Sequence, residues 1–388
     1  MKKMEMSDFR PERLQAARTL LNVTQTQLAD QAEVKQSLIS MIESHQRPFT
    51  PELAKRFAAE LNLPIEFFKA RPRNIPADSL MFRKHKTASA SLTQQTRAHF
   101  QEALRVTEDL IHETGYPTPR LPIVQDEEGE LTVERIEAIA ALTRQALRLD
   151  LVAPIPNVTR ALERVGIVVV PLILAGADDA AEQITPGHFG VSFWSGPGAP
   201  GLVAYFPGSS ADRDRFTLAH ELGHAVLHSH RQSSDAEGEA NRFAGAFLVP
   251  IPRARELLNE STTLRSLAMI KSEFGVSIQA LVMRGTQAGL ISKDRGQTLF
   301  RQISSRGWRT KEPVEIGAET PKLLRRLLIE NYGTDFERDP RVEHETALPL
   351  MMLRALAPSS TSRRSPTAPV VDLASRRSTA GSRRQGAF

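Results

Sequence analysis

The chain of 388 residues contains no cysteine, which excludes disulfide bonds and thiolate metal sites, and its polar N-terminus and lack of a long apolar run favour a cytoplasmic protein without a membrane segment. Its formal net charge of +5 equals that of residues 357–388 alone, which contain six arginines and one aspartate. Residues 1–356 are therefore neutral overall, so the basic pI is not evidence for nucleic-acid binding, and the Ser-, Pro- and Arg-rich tail at 357–388 is predicted to be disordered.

Residues 8–70 predict a compact all-α domain. Thr24 can cap a short second helix, Gln31–Val34 then forms a turn, and a third helix follows at Lys35–Glu43. The third helix has an apolar stripe for a core and polar residues on its other side. A short capped helix, a tight turn and a polar-faced helix together indicate a helix-turn-helix.

Within this domain, Leu21-x-x-Thr-Gln-x-x-Leu-Ala29 and Val34-x-Gln-Ser-x-Ile-Ser-x-Ile-Glu43 resemble the Cro/lambda-repressor (Xre) family. The resemblance implies binding to a double-stranded DNA operator. Because the domain has only a small excess of positive charge, we expect a homodimer that contacts two half-sites. The side chains that the resemblance places in the major groove are Gln36, Ser37 and Ser40, and those that it places on phosphates are Gln25 and Arg47.

Two positions depart from that family, which usually has glycine at both. Glu33 stands in the turn, where it adds a negative charge close to the DNA, and His45 follows the third helix. The alternative interpretation of residues 8–70 is a helical bundle that contacts proteins instead of DNA.

Residues 71–130 are predicted to form a helical connector. Apolar residues at helical spacing between Ser91 and Gly115 predict one long helix, whose apolar face could pair with its twin in the homodimer. The segment Phe82–Lys86 is a short basic patch, which we interpret as solvated surface and not as a nucleic-acid site.

Residues 131–335 predict a second domain with a small sheet. Apolar runs at 166–171, 190–194 and 202–206 predict three strands ahead of a long helix, and an edge strand could hold a peptide by β-augmentation. The expected fold class is therefore a mainly α multidomain protein, with an all-α helix-turn-helix bundle followed by an α+β domain.

The segment Arg215–His228 contains His-Glu-Leu-Gly-His, the H-E-x-x-H pattern of zinc peptidases. His220 and His224 are four residues apart, so on a helix both rings lie on one face and can bind one metal ion. Glu221 is adjacent and can reach a water bound to that ion, whose proton it would accept. The pattern predicts a Zn²⁺ site with Glu221 as the catalytic base.

Catalytic zinc usually has three protein ligands, and the sequence offers several candidates for the third. His230 would require the helix to break before it, but Leu227 favours continuation of the helix. Glu237 lies on a second predicted helix, on which Asn241, four residues later, could hydrogen-bond a ligand histidine. Glu239 points to a different side of that helix and is the remaining candidate.

At these residues the chain resembles the ImmA/IrrE metallopeptidases, relatives of the thermolysin-like gluzincins. The matching segments are Arg215–His224, Glu237–Ala244 and Leu248–Pro250. The resemblance implies the zinc ligands His220, His224 and Glu237, with Glu221 as the catalytic acid and base. It also implies a zinc-dependent endopeptidase that cleaves a specific regulator protein in a stress response.

Two other functions stay open from the sequence. The zinc site of a DNA-binding regulator can be structural or sensory, without proteolysis. The chain can also be the antitoxin-like member of a toxin–antitoxin pair, which mainly binds a partner protein. No side chain is assigned to stabilise an oxyanion, for which the candidates are Tyr205, His228 and His230.

Overall fold

The computed structural model describes residues 8–73, 75, 81–84, 90–125, 129–173, 188–207 and 210–359. This part of the chain is mostly helical with one small sheet, which confirms the predicted fold class. Within it, no helix is long and apolar enough to cross a membrane. The predicted disordered tail lies outside the described residues from position 360 onward, and the predicted domain limits stay predictions.

The described elements follow in chain order, helices first. The helices are α1 (Pro11–Leu21), α2 (Gln25–Gln31), α3 (Gln36–Glu43), α4 (Pro51–Glu60), α5 (Ala90–Thr114), α6 (Val133–Ala146), α7 (Val158–Glu163), α8 (Ala211–Leu227), α9 (Ala236–Leu248), α10 (Ile251–Leu257), α11 (Leu264–Phe274), α12 (Ile278–Gln287), α13 (Lys293–Ser305), α14 (Leu323–Tyr332), α15 (Pro340–Thr346) and α16 (Leu350–Leu356). The strands are β1 (Met81–Lys84), β2 (Ile167–Pro171), β3 (His188–Trp194) and β4 (Gly201–Tyr205).

Helices α1–α4 form the N-terminal bundle, and local hydrogen bonds determine where α2 begins. The backbone N–H of Gln27 donates to the Thr24 hydroxyl at 3.2 Å, and the backbone N–H of Thr24 donates to the Gln27 side chain at 2.8 Å. This reciprocal capping box satisfies N–H groups that have no partner inside the helix. Leu28 and Ile39 are fully buried between the helices, so the predicted helix-turn-helix segment forms a packed unit.

Helix α5 joins the N-terminal bundle to the rest of the chain. Its His99 ring lies 3.0 Å from a backbone carbonyl at the end of α1, and its buried Glu102 is paired with Arg13 of α1. On its other side α5 packs against α14, and Arg105 donates to the Thr346 carbonyl at 2.6 Å. The bundle and the C-terminal helices therefore pack on the same helix.

The apolar face of α5 does not provide the dimer surface expected from the sequence. The helix itself was predicted correctly, but its apolar residues are buried within the chain, because α1 and α14 pack against them. These residues are Ala98, Ala103, Leu104, Val106, Leu110 and Ile111. The homodimer stays a prediction that rests only on the two half-sites a helix-turn-helix protein usually contacts.

The sheet contains four strands in the order β1-β3-β4-β2. Strand β2 is parallel to β4, while β3 is antiparallel to both β4 and β1. Three of the strands were predicted, whereas the edge strand β1 at Met81–Lys84 was not. It includes part of the basic patch predicted at 82–86, whose positions 85 and 86 lie outside the described residues, so the interpretation of that patch as solvated surface stays a prediction. A strand of four residues is too short to show a periodic pattern, and it is defined by its pairing with β3.

Helices cover both faces of the sheet. One face packs against α8, with Ile167, Val169, Trp194, Val203 and Tyr205 in the cluster beneath it. The other face packs against α5, α14 and α16, with Val168, Val170, Val191, Leu202 and Ala204. Side chains alternate along a strand, so the even-numbered residues of β3 from 190 to 194 lie on the α8 face.

Candidate metal centre and nucleic-acid interface

Helices α8 and α9 pack closely and place the predicted ligands side by side. Helix α8 continues through Leu227 without a break, as its sequence predicted. Gly223 permits the close approach of α9, because a Cβ at this position would lie 2.9 Å from the Phe243 ring. Asp235 accepts the backbone N–H of Gly238 and so caps α9 just before the second motif.

The three predicted ligands converge on one point. Nε2 of His220 and Nε2 of His224 are 3.0 Å apart. The Glu237 carboxylate lies 3.4 Å from the first of these atoms and 3.3 Å from the second. Both rings are buried, and the carboxylate is exposed. The ligand atoms of these three side chains all lie within 4.8 Å of one another, so the group could hold one metal ion.

Asn241 determines which nitrogen of His220 carries the proton. Its Oδ1 lies 3.1 Å from Nδ1 of His220 and accepts a hydrogen from it. A neutral imidazole has a single N–H, so Nε2 of His220 presents a lone pair to the cluster. The contact is the one that the sequence predicted for Asn241.

Three hydrogen-bonded side chains, Glu239, His228 and His224, determine which nitrogen of His224 carries the proton. We call them the His228 relay. The Glu239 carboxylate accepts from Nε2 of His228 at 2.9 Å. Burial lowers the pKa of His228 from 6.5 to about 4, so this ring is neutral and its Nδ1 is an acceptor. Nδ1 of His224 therefore donates to Nδ1 of His228 at 3.0 Å, which leaves the lone pair of His224 on Nε2.

Glu239 is a fully buried carboxylate with several donors. Arg231 donates two hydrogen bonds of 2.8 Å, the backbone N–H of Leu131 donates one of 2.7 Å, and the Ser233 hydroxyl donates one of 3.0 Å. Burial raises the pKa of Glu239, but these donors and His228 outweigh it and lower the pKa to about 2. Glu239 thus orients His228 and lies outside the ligand cluster.

The donor set at the cluster fits a metal cation. With both Nδ1 atoms protonated, the lone pairs of His220 and His224 face each other at 3.0 Å, and a carboxylate lies close to both. Three electron-rich groups at these distances repel one another, and a cation between them would relieve that repulsion. Two imidazole nitrogens and one carboxylate oxygen form a known donor set of catalytic zinc, in which a fourth position is left for water.

Glu221 is fully buried between α8 and β3. Its Oε2 lies 2.8 Å from the Ser192 hydroxyl, which can donate to it. A Cβ at Gly190 would lie 2.7 Å from Oε1, so the carboxylate occupies space that only glycine leaves open. Strand β3 therefore fixes the position of the predicted catalytic base.

The other candidates from the sequence lie elsewhere. His230 is exposed, beyond the end of α8. Tyr205 belongs to β4 and is buried in the apolar cluster under α8. Both ring nitrogens of His228 are engaged in the relay, so this side chain has no donor to offer an oxyanion.

The predicted DNA-contacting residues lie on and beside α3. Gln36 and Ser37 are exposed at the first turn of α3. Among the described elements, α3 packs mainly against α1 and α2. The side chain of Gln36 donates to Gln25 at 2.6 Å, and Gln25 donates to Glu43 at 2.7 Å. Ser40 is half-buried, and Arg47 is exposed beyond the end of α3. Gln25, Gln36 and Ser37 therefore lie together at the N-terminal end of α3, whereas Arg47 lies beyond its C-terminal end.

Both departures from glycine in the helix-turn-helix adopt the left-handed conformation that glycine prefers. The φ angle is 47° at Glu33 and 59° at His45. The backbone therefore has the shape that the family resemblance implies, although this conformation is less favourable for Glu33 and His45 than for glycine. The Glu33 carboxylate lies 3.7 Å from Arg56, which partly offsets its negative charge.

Sequence reasoning missed Gly190, Ser192 and the role of His228. His228 follows His224 by four residues, and this spacing was a usable signal for a contact across one helical turn. No comparable local signal marks Gly190 and Ser192, because their partner Glu221 lies about thirty residues later in the chain.

Comparison with family models gives two matches. Residues 162–286 match the Peptidase_M78 model, described as an IrrE N-terminal-like domain, and residues 14–68 match the HTH_3 model, described as a helix-turn-helix. Among curated proteins, none matches the chain. The chain is therefore similar to helix-turn-helix proteins in its N-terminal part and to M78 peptidases in its central part, which confirms both resemblances.

Proposed function

We propose that the protein is a DNA-binding transcriptional regulator whose central domain is a zinc-dependent endopeptidase that cleaves a specific regulator protein. The observation that carries this proposal is the convergence of His220, His224 and Glu237, two of which lie on the same helix as the buried Glu221. The two family matches support the same combination of functions in one chain.

The chain's own residues supply the binding and proton-transfer parts of peptide hydrolysis. When bound, a zinc ion lowers the pKa of water and draws electron density from the scissile carbonyl. Glu221 takes the proton from the attacking water and delivers it to the leaving amine, with its carboxylate held in place by Ser192. Asn241 and the His228 relay keep the ligand lone pairs directed at the metal.

Glu221→Gln provides the direct test. The amide has the same shape and can still contact Ser192, but it cannot accept the proton, so zinc content should persist while cleavage stops. New protein N-termini would be compared across the native host's proteome, with and without stress, in cells that carry either form. We expect one or a few cleavage sites that depend on Glu221. Identical N-termini in the two strains would refute the endopeptidase and leave a non-proteolytic zinc site.

DNA binding is supported by the exposed surface at the start of α3. Gln36 and Ser37 are available at the helix end that usually reaches base edges. A homodimer would place two copies of α3 in successive major grooves and would explain tight binding by a domain with little net charge. Selection from random duplexes with the full chain tests both points, because a dimer should select an inverted repeat.

A further inference from the structure

Strand β1 lies along the strand that holds Glu221. It pairs antiparallel with β3, with Met81 opposite Ser192 and Arg83 opposite Gly190. These two β3 residues are the ones that contact Glu221. Residues 81–84, between the helix-turn-helix and α5, therefore run as an extended strand one strand spacing, about 4.8 Å, from the strand that positions this carboxylate.

This position is the one in which an extended peptide would pair with β3. Peptides commonly bind by adding a strand to a sheet edge, where main-chain hydrogen bonds provide affinity. In the order β1-β3-β4-β2, the edge strand on this side would be β3, which contacts Glu221, if β1 were absent. The edge that the sequence predicted for a peptide is thus occupied by the chain itself.

Strand β1 pairs with the sheet over a short ladder and is connected on both sides to other parts of the chain. It contains four residues, and its register shifts between Arg83 and Lys84, so it forms a short ladder. Before it, Ile75 is buried and its carbonyl accepts from Arg97. After it, α5 begins at Ala90. A strand held between two anchors can leave the edge and return to it, with an effective concentration in roughly the millimolar range.

We propose that β1 is a built-in occupant of the peptide site, which a substrate must replace. The substrate class is then an extended segment of a protein, able to form main-chain hydrogen bonds with β3, and not a folded surface. This inference rests on the proposed function, because the site would bind the substrate of the proposed peptidase. Its test measures binding, so that it can fail separately.

The first experiment removes the pairing of β1 without altering the metal cluster. Successive N–H groups of a strand point to opposite sides, so one of the two at Phe82 and Arg83 faces β3. The double variant Phe82→Pro/Arg83→Pro removes that donor whichever it is. Phe82→Thr/Arg83→Thr is the matched control, because it changes the same side chains and keeps both N–H groups. All variants carry Glu221→Gln to prevent cleavage, and zinc content and circular dichroism check their folding.

The probe is a fluorescent peptide with the chain's own sequence from 77 to 88, titrated by anisotropy. We expect the proline variant to bind it at least about tenfold more tightly than the parent and the threonine control. When β1 is paired with β3 in most molecules, the apparent affinity is reduced in proportion to the fraction in which β3 is free. Equal affinity in all three proteins would overturn the inference. If affinity rises as expected but the same proteins with Glu221 restored cleave no peptide, the peptidase proposal fails and the occupied-edge inference stands.

An engineered disulfide provides the opposite perturbation. The chain has no cysteine, so Phe82→Cys/Val191→Cys introduces the only two thiols, at positions directly opposite in the register. Opposed strand residues have Cα atoms about 4.5–5.5 Å apart, which a disulfide can span. Oxidation should abolish peptide binding and reduction should restore it in the same sample. Unchanged affinity on oxidation would overturn the inference, and this comparison decides the question even if the proline variant does not fold.

Discussion

Replacing His228 with phenylalanine tests whether the His228 relay prepares His224 for the metal. Phenylalanine keeps a ring of similar size in a buried position, but it offers no donor to Glu239 and no acceptor to His224. Glu239 keeps its ion pair with Arg231, so no buried charge loses its partner. His230→Phe is the matched control, because it makes the same change two residues later, at an exposed ring outside the cluster.

The expected magnitude follows from the contact that is lost. The Nδ1–H of His224 is buried, and a buried donor without an acceptor costs about 1–3 kcal/mol. Without the relay, His224 can carry its proton on Nε2, and a metal ion must then displace it. Loss of such a partner of a ligand histidine typically weakens metal binding by about 10–100-fold, or about 1.4–2.8 kcal/mol. We expect His228→Phe to fall within that range and His230→Phe to bind zinc as the unchanged chain does.

Zinc affinity would be measured by competition with a chromophoric chelator near neutral pH. Thermal unfolding of the metal-free proteins separates a weaker site from a weaker fold. Equal zinc affinity of His228→Phe and the unchanged chain would refute the relay. An equal loss in both phenylalanine variants would show that the effect does not depend on the contact with His224.

Three further predictions concern other contacts. Asn241→Leu should weaken zinc binding by about 10–100-fold in the same titration, whereas Asn241→Asp, which keeps an acceptor oxygen, should not. Burial lowers the pKa of His99 from 6.5 to about 4, so between these pH values the ring is protonated in the unfolded chain and neutral in the folded chain. The free energy of unfolding should therefore fall as the pH drops from 6.5 towards 4. His99 should contribute about 2 kcal/mol to this loss near pH 5 in denaturant titrations, and His99→Gln, which can still donate to the Leu20 carbonyl, should remove that share. On a selected operator, Gln36→Ala should relax specificity by about 1–3 kcal/mol, whereas Arg47→Ala should weaken all sequences alike and reduce the salt slope by about one.

Features that depend on residues within a few positions of one another could be predicted from the sequence. The capping box at Thr24 and the side-by-side placement of His220 and His224 both follow from helical spacing alone. The choice of Glu237 over Glu239 as the residue facing the cluster also follows from local geometry, because Asn241 lies one turn after Glu237 on the same face. Long periodic helices such as α5 carry the strongest signal of this kind.

Features that depend on distant partners could not be predicted in this way. Strand β1 pairs with residues more than one hundred positions later, and its four residues carry no pattern that reveals this. The buried Glu239 accepts a hydrogen bond from the backbone of Leu131, which lies more than one hundred residues earlier, just before α6. The apolar stripe of α5 indicated a covered face, but the sequence could not tell whether a second copy or α14 covers it. In each case the missing information is tertiary packing, which overrides local preference.

Helix α5 packs against both the helix-turn-helix bundle and the sheet on which we propose that a peptide binds. Buried Glu102 is paired with Arg13 of α1 and with Arg105, which in turn donates to a carbonyl near the C-terminal helices. A buried ion pair resists separation, because removing one partner leaves a charge without compensation, at a cost of about 3–5 kcal/mol. A shift of α1 on DNA would therefore be passed to α5, whose first residue is also the anchor that follows β1. Position between two sites does not by itself establish coupling, which requires an element with two arrangements that both sites bias. Strand β1, paired with β3 or replaced by a substrate, is that element in our proposal, so the peptide titration repeated with and without operator DNA measures the coupling directly.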